Sequence, residues 1–159
     1  MPIQPEVVAH LAELGVAYEA LDCDPALADT ASFCAHYGYA PETAANTIVV
    51  ASKRPSGEFV ACLVLAPNRL DVNGKVRELT GWKKASFARP EETAELTGMT
   101  IGGVTPFALP GDLPLFVDTA VMRQPWVIVG AGSRSAKLKI EPSMLEKIAT
   151  FEVVQGLAN

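Results

Sequence analysis

Apolar positions recur at helical spacing at Val7, Val8, Leu11 and Leu14, behind Pro5 in a first turn and ahead of Gly15, so the chain opens with a helix. A short, loosely alternating strand is predicted from Val16 to Leu21. A second helix follows, capped by Asp29 or Thr30, reaching about His36 and ended by Gly38, and Pro41 starts a short turn or helix. Two β-rich runs, Thr47 to Ala51 and Phe59 to Ala66, flank the turn-forming Lys53-Arg54-Pro55-Ser56-Gly57 and read as a hairpin whose strands are buried on both faces. After Pro67 the polar stretch Asn68 to Gly74 breaks the pattern, and its Asp and Asn residues are of the kind that close turns. Val76 and Leu79 mark a short helix ending before Gly81, and Pro90 starts another that runs through Leu96 to Gly98. The tail holds strands near Leu115 to Asp118, Trp126 to Val129 and the alternating Lys137-Leu138-Lys139-Ile140, then a Pro142-initiated helix and a last strand near Phe151 to Val154. Hairpins interleaved with short helices, without regular βαβ alternation, predict a mixed α/β fold: one compact domain over residues 1–159, a curved mixed sheet flanked by short helices.

Composition narrows the class. With 159 residues, 49% of them hydrophobic and 19% charged, the chain can bury a substantial core and is not disordered. Its longest apolar run, Phe59 to Ala66, is far short of the ~20 residues that span a membrane. The N-terminus MPIQPEVVAH has no Lys or Arg and no apolar block before a small-residue cleavage site, so a cytoplasmic location is expected. Cys23, Cys34 and Cys62 form no C-x-x-C pair and are expected as reduced thiols. Together with His10 and His36 they show no metal-ligand spacing, and no metal or cofactor is expected.

Charge is distributed unevenly. Residues 1 to 52 hold seven acids and no Lys or Arg, whereas residues 53 to 89 hold eight bases against Glu58, Asp71 and Glu78, within a chain of net charge −5. That basic stretch reads either as a solvated face or as a patch that contacts the phosphates of an RNA end.

The stretch Met99 to Phe107 carries the strongest hint of chemistry. Adjacent Gly102 and Gly103 let the backbone turn sharply and approach a ligand, and Pro106 fixes the exit of the loop. Such a loop either makes a tight turn or presents backbone N–H groups to a carbonyl or developing oxyanion. Asp118, at the end of an apolar strand, is either a pocket acid or a turn cap. Gly130-Ala131-Gly132-Ser133-Arg134 lacks the endings of a P-loop or dinucleotide fingerprint and reads as a hairpin-type turn in a pocket wall. Cys34 and His36, two apart on a helix, point to different faces and are set aside as a nucleophile and base.

Several blocks carry a resemblance. Gly102 to Pro106 matches the G-x-x-x-P loop of the YbaK/EbsC family and of the editing domain inserted in bacterial prolyl-tRNA synthetases. Arg77 to Gly81, Lys84 to Ala88, Thr97 to Met99, Leu113 to Asp118 and Gly130 to Arg134 with Lys137-Leu138 also look like family blocks, in family order, so that the chain resembles the family from about residue 20 to 150. The resemblance implies a free-standing, cofactor-independent deacylase that hydrolyses the ester of mischarged aminoacyl-tRNA, with the substrate's ribose hydroxyl helping to activate water. Carried over, Gly102, Gly103 and Thr105 would form the backbone cradle for the ester carbonyl, with Pro106 holding it rigid. The family also places a lysine in a Lys-Thr-Leu-Val-like strand to engage the adenosine or phosphate end; here Asn46 stands in that position, without the charge. Asp118, Gly130, Gly132 and Ser133 are expected around the substrate, and Lys84 or Arg77 at its phosphates.

The implied partners are the acceptor end of aminoacyl-tRNA and an aminoacyl-tRNA synthetase, not DNA or a membrane. The alternative is a non-catalytic module that binds aminoacyl-tRNA or a synthetase, Asn46 marking the loss of chemistry. A small-molecule binding domain that reuses the pocket is a third reading.

Overall fold

The computed structural model describes residues 3–159; Met1 and Pro2, where the leader reading and the expected domain begin, lie outside them. In chain order the helices are α1 (Pro5–Leu14), α2 (Thr30–Tyr37), α3 (Arg77–Thr80), α4 (Pro90–Thr97) and α5 (Thr119–Met122). The strands are β1 (Glu19–Asp22), β2 (Ala45–Arg54), β3 (Ser56–Leu65), β4 (Lys84–Phe87), β5 (Leu115–Asp118), β6 (Val127–Gly130), β7 (Ala136–Ile140) and β8 (Phe151–Val154). The architecture is mixed α/β, and its strands form two sheets rather than one curved sheet. One sheet has five strands in the order β4-β2-β3-β5-β8 and the other three in the order β1-β7-β6. A parallel bridge between Ala44 and Ile128 joins them.

The hairpin is longer than its apolar core. β2 and β3 pair antiparallel from Ala45 opposite Leu65 to Lys53 opposite Ser56, because backbone pairing continues through polar residues up to the turn. β3 explains its uninterrupted apolar sequence. Ala61, Leu63 and Leu65 pack into the core between the sheets with Val7 and Leu11 of α1, Leu115, Val117, Val129 and Leu138. Val60, Cys62 and Val64 face the opposite side, against Val50, Trp82, Phe116, Val154 and Leu157. A strand buried on both faces has no position left for a polar residue.

Three local differences have simple causes. β1 starts at Glu19 rather than Val16, because Val16 gives its N–H to Leu11 at 3.0 Å and caps α1. β4 is a strand only through its partner: Ala85 alone is buried, and Val50–Phe87 and Arg54–Lys84 pairing with β2 holds it. The Pro142 segment is a 3-10 helix, Pro142–Lys147.

Candidate active site

Where the two sheets meet, a cavity of about 360 Å³ opens beside the Ala44–Ile128 bridge. Asn46 to Val49 of β2 form one wall, Ile128 to Gly130 of β6 another, and Ile101, Gly102 and Val104 of the glycine loop a third. Asp29, Thr30 and Phe33, at the start of α2, close it from the side, with Arg134 and Lys137 beside them. Phe87 and Ile101, each 55% exposed, stand apolar and open at its rim.

The glycines are there because other groups sit close. Gly102 has φ +94°, a left-handed conformation, and a Cβ on it would meet Nη1 of Arg134 at 2.1 Å. A Cβ on Gly130 would meet the Val104 carbonyl oxygen at 2.2 Å, so the loop packs directly on β6. The Gly103 N–H donates to Thr100 at 2.9 Å and the Gly103 carbonyl accepts from Gly132 N–H at 2.7 Å. The expected cradle is therefore narrower than Gly102 to Thr105: the Gly103 amide is already committed to a turn, and Gly102 and Val104 line the cavity. Thr105 is fully buried, its Oγ1 without a hydrogen-bond partner among the described residues, and Pro106 is buried beside it; both support the loop from behind.

Asn46 lines the cavity and its Oδ1 accepts from the Thr30 hydroxyl, which ties β2 to the head of α2. The neighbouring Thr47 also lines the cavity, while its hydroxyl is buried and unpaired among the described residues. Asp29 caps α2, accepting from Ala31 N–H at 3.0 Å and from Ser32 N–H and Oγ at 3.3 and 2.7 Å. These Ser32 bonds hold its carboxyl below the usual carboxylate range.

Sequence reasoning missed two residues here as site residues, although both stand in family-like blocks. Lys137 is 6% exposed, and its Nζ donates to the Ala28 carbonyl at 2.7 Å and the Gly102 carbonyl at 2.9 Å. Burial pulls its ammonium below the usual lysine value. Arg134 donates through Nε and Nη2 to the Pro25 carbonyl at 3.1 and 2.9 Å and through Nη1 to the Ile101 carbonyl at 2.7 Å.

Other expected site residues lie elsewhere. Asp118 is 3% exposed and accepts from Leu157 N–H at 3.2 Å, at the junction of β5 with the C-terminal tail; it is not a cavity acid. Burial raises its carboxyl above the usual range. Arg77 turns to the Trp82 and Asn73 carbonyls, and Lys84 pairs with Arg54 at the far end of β2, so neither lines the cavity. Gly132 and Ser133 sit in the β6–β7 turn behind the loop, where Ser133 Oγ accepts from Ser135 N–H. Cys34 is buried and does not line the cavity.

Comparison with known proteins bears on the family and the fold. Residues 24–148 match the aminoacyl-tRNA editing domain family model. The chain is 33% identical over 120 residues to the uncharacterized protein YwhH of Bacillus subtilis (strain 168), covering 70% of this chain and 76% of that one. Among solved structures it superposes on the hypothetical protein APE2540 with a TM-score of 0.86 at 27% identity, over 97% of this chain and 99% of the other. It also superposes on a candidate trans-editing enzyme for prolyl tRNA synthetase with a TM-score of 0.80, over 96% and 97% of the two chains; at 24% identity that likeness speaks for the fold. The matched span contains β2, the glycine loop, Arg134 and Lys137, and on it the chain belongs to the aminoacyl-tRNA editing domain family.

Proposed function

We propose that residues 1–159 act as one trans-editing domain that hydrolyses the ester between a mischarged amino acid and the terminal adenosine of tRNA. The observation that carries this reading is the glycine loop closing a small cavity from which serine, cysteine and histidine side chains are absent among the lining residues. Of the lining groups that could attack the ester, Asp29, Thr30 and Lys137 are committed to protein partners, so we assign the chemistry to water held against a polarised ester, a task of positioning and electrostatics. A volume near 360 Å³ is at the small end of the roughly 300–1,000 Å³ range of ligand sites, suited to an aminoacyl group with part of its nucleoside. Asn46 supplies hydrogen bonds for the ribose and ester, the apolar Ala44, Ala45 and Ile128 take the side chain, and Phe87 with Ile101 offers the adenine a stacking surface.

Single-turnover deacylation of tRNAs carrying Ala, Ser, Thr, Cys or Pro tests this, with wild type, Gly102→Ala and Asn46→Ala compared. At least one ester is cleared faster than in buffer, and Gly102→Ala, which drives a methyl into Arg134, lowers that rate about 100-fold. The uncharged Asn46 favours a second reading, a module that binds the aminoacyl end without turnover. Retention of tRNA with every ester stable would establish it and end the hydrolase proposal.

A further inference from the structure

Two cations from one short segment hold the same pair of loops. Arg134 joins the Pro25 and Ile101 carbonyls, and Lys137, three residues on, joins the Ala28 and Gly102 carbonyls. Each thus spans from the segment before α2 to the glycine loop. Among the described residues neither forms an ion pair, although Lys137 is almost wholly buried. A buried ammonium without a carboxylate is costly, and here its donors go to main-chain oxygens. The Phe33 ring, 5.8 Å from Nζ, gives it further but weaker support.

The consequence for the loop is geometric. Peptide units are planar and trans, so fixing the Ile101 carbonyl on Arg134 fixes the opposite direction for the Gly102 N–H, and fixing the Gly102 carbonyl on Lys137 does the same for the Gly103 N–H. The second of these is seen directly, since the Gly103 N–H closes on Thr100. Gly102 has a left-handed φ of +94° that disfavours any side chain, and the end of Arg134 fills the space its Cβ would take, so a side chain there would displace the clamp as well as strain the loop.

We propose that Arg134 and Lys137 are positioning residues that pin the glycine loop to the Pro25–Ala28 segment and so set the direction of its amides in the cavity. This rests on the proposed deacylase reading only for its kinetic test. Substituting Lys137→Met or Arg134→Met frees the loop on one side while leaving the Phe87 rim and the β2 wall in place. With the ester that the wild type clears, each variant lowers kcat by about 10- to 100-fold with KM changed less than about threefold, as expected for loss of alignment. Because both pins hold one loop, the double variant loses less than the product of the single effects. Arg134→Lys, which keeps one charge–carbonyl contact, recovers part of the rate.

Amide hydrogen exchange reads the clamp without reference to catalysis. Exchange at residues 100–104 accelerates in both Met variants while the β3 amides keep wild-type protection. Unchanged loop exchange, equal acceleration in β3 and the loop, or a loss confined to KM would each overturn the clamp; the last would make these side chains direct substrate contacts. If no ester is cleared by the wild type, the deacylase reading fails and loop exchange alone still decides whether the clamp exists.

Discussion

Asp118, 3% exposed as a residue, closes β5 with one carboxylate oxygen accepting from Leu157 N–H at 3.2 Å. Its raised folded pKa means that the folded state binds the proton more readily than the unfolded chain. Ionisation therefore costs stability, in full above the folded pKa, and the cost is relieved as pH falls through that value toward the ordinary aspartate range. Asp118→Asn keeps an acceptor and removes the charge, so its thermal midpoint at neutral pH equals or exceeds that of the wild type and its stability gain shrinks toward acid pH. Asp118→Ala instead leaves the Leu157 N–H unpaired and costs about 1–3 kcal/mol in urea melts. A deacylation rate lost in Asp118→Asn with stability intact would contradict its placement outside the cavity. An acid at a strand end is legible in sequence. That this strand stays clear of the cavity is not, because its place depends on β5 lying parallel between β3 and β8, a pairing with no local signature.

β7 shows the same limit at the level of an element. Its alternation is plain, Ala136, Leu138 and Ile140 entering the core while Lys137 and Lys139 take the other face. Alternation alone makes both lysines solvent-facing. Lys139, half-buried, lies over the Trp126 ring at 4.2 Å, whereas Lys137 is roofed by the segment that leads into α2. Only tertiary packing separates them. β4 is the reverse case: with one buried residue in four it has too little apolar signal to predict, yet as an edge strand on β2 it carries Phe87 to the cavity rim. Phe87 is 55% exposed, so Phe87→Ala changes stability by no more than about 0.5 kcal/mol. Base stacking on an aromatic ring is worth about 1–3 kcal/mol, so the same variant raises KM for aminoacyl-tRNA at least about fivefold with kcat little changed. An unaltered KM would remove the stacking role and leave Phe87 as an ordinary exposed aromatic.

Across the whole molecule the charge asymmetry acquires a direction. The acids of residues 1 to 52 lie on α1, β1, α2 and their connections, while the bases of residues 53 to 89 lie on the end of β2, around α3, on β4 and in the connections between them. Part of it is neutralised locally: Lys53 and Arg89 share Glu92, at 3.9 and 3.3 Å, and Lys75 meets Glu78 at 3.6 Å. Arg54 and Lys84 pair across β2 and β4, and the Lys83 N–H donates to the Arg54 carbonyl, leaving three bases together outside the ion pairs found among the described residues. β2 itself links this cluster to the cavity, since Val49 lines the cavity and Arg54 lies five residues on, roughly 16 Å at strand rise. A nucleoside seated in the cavity would place its next few phosphates over that distance. Replacing Arg54 and Lys84 together by alanine should then weaken tRNA binding and, for two phosphate contacts on a single strand, flatten the slope of log K against log salt by about 1.4. The same double variant leaves the glycine loop and its clamp untouched, so kcat at saturating tRNA stays near wild type while affinity falls. If the slope is unchanged, these bases are a solvated face, and the tRNA reaches the cavity across another surface.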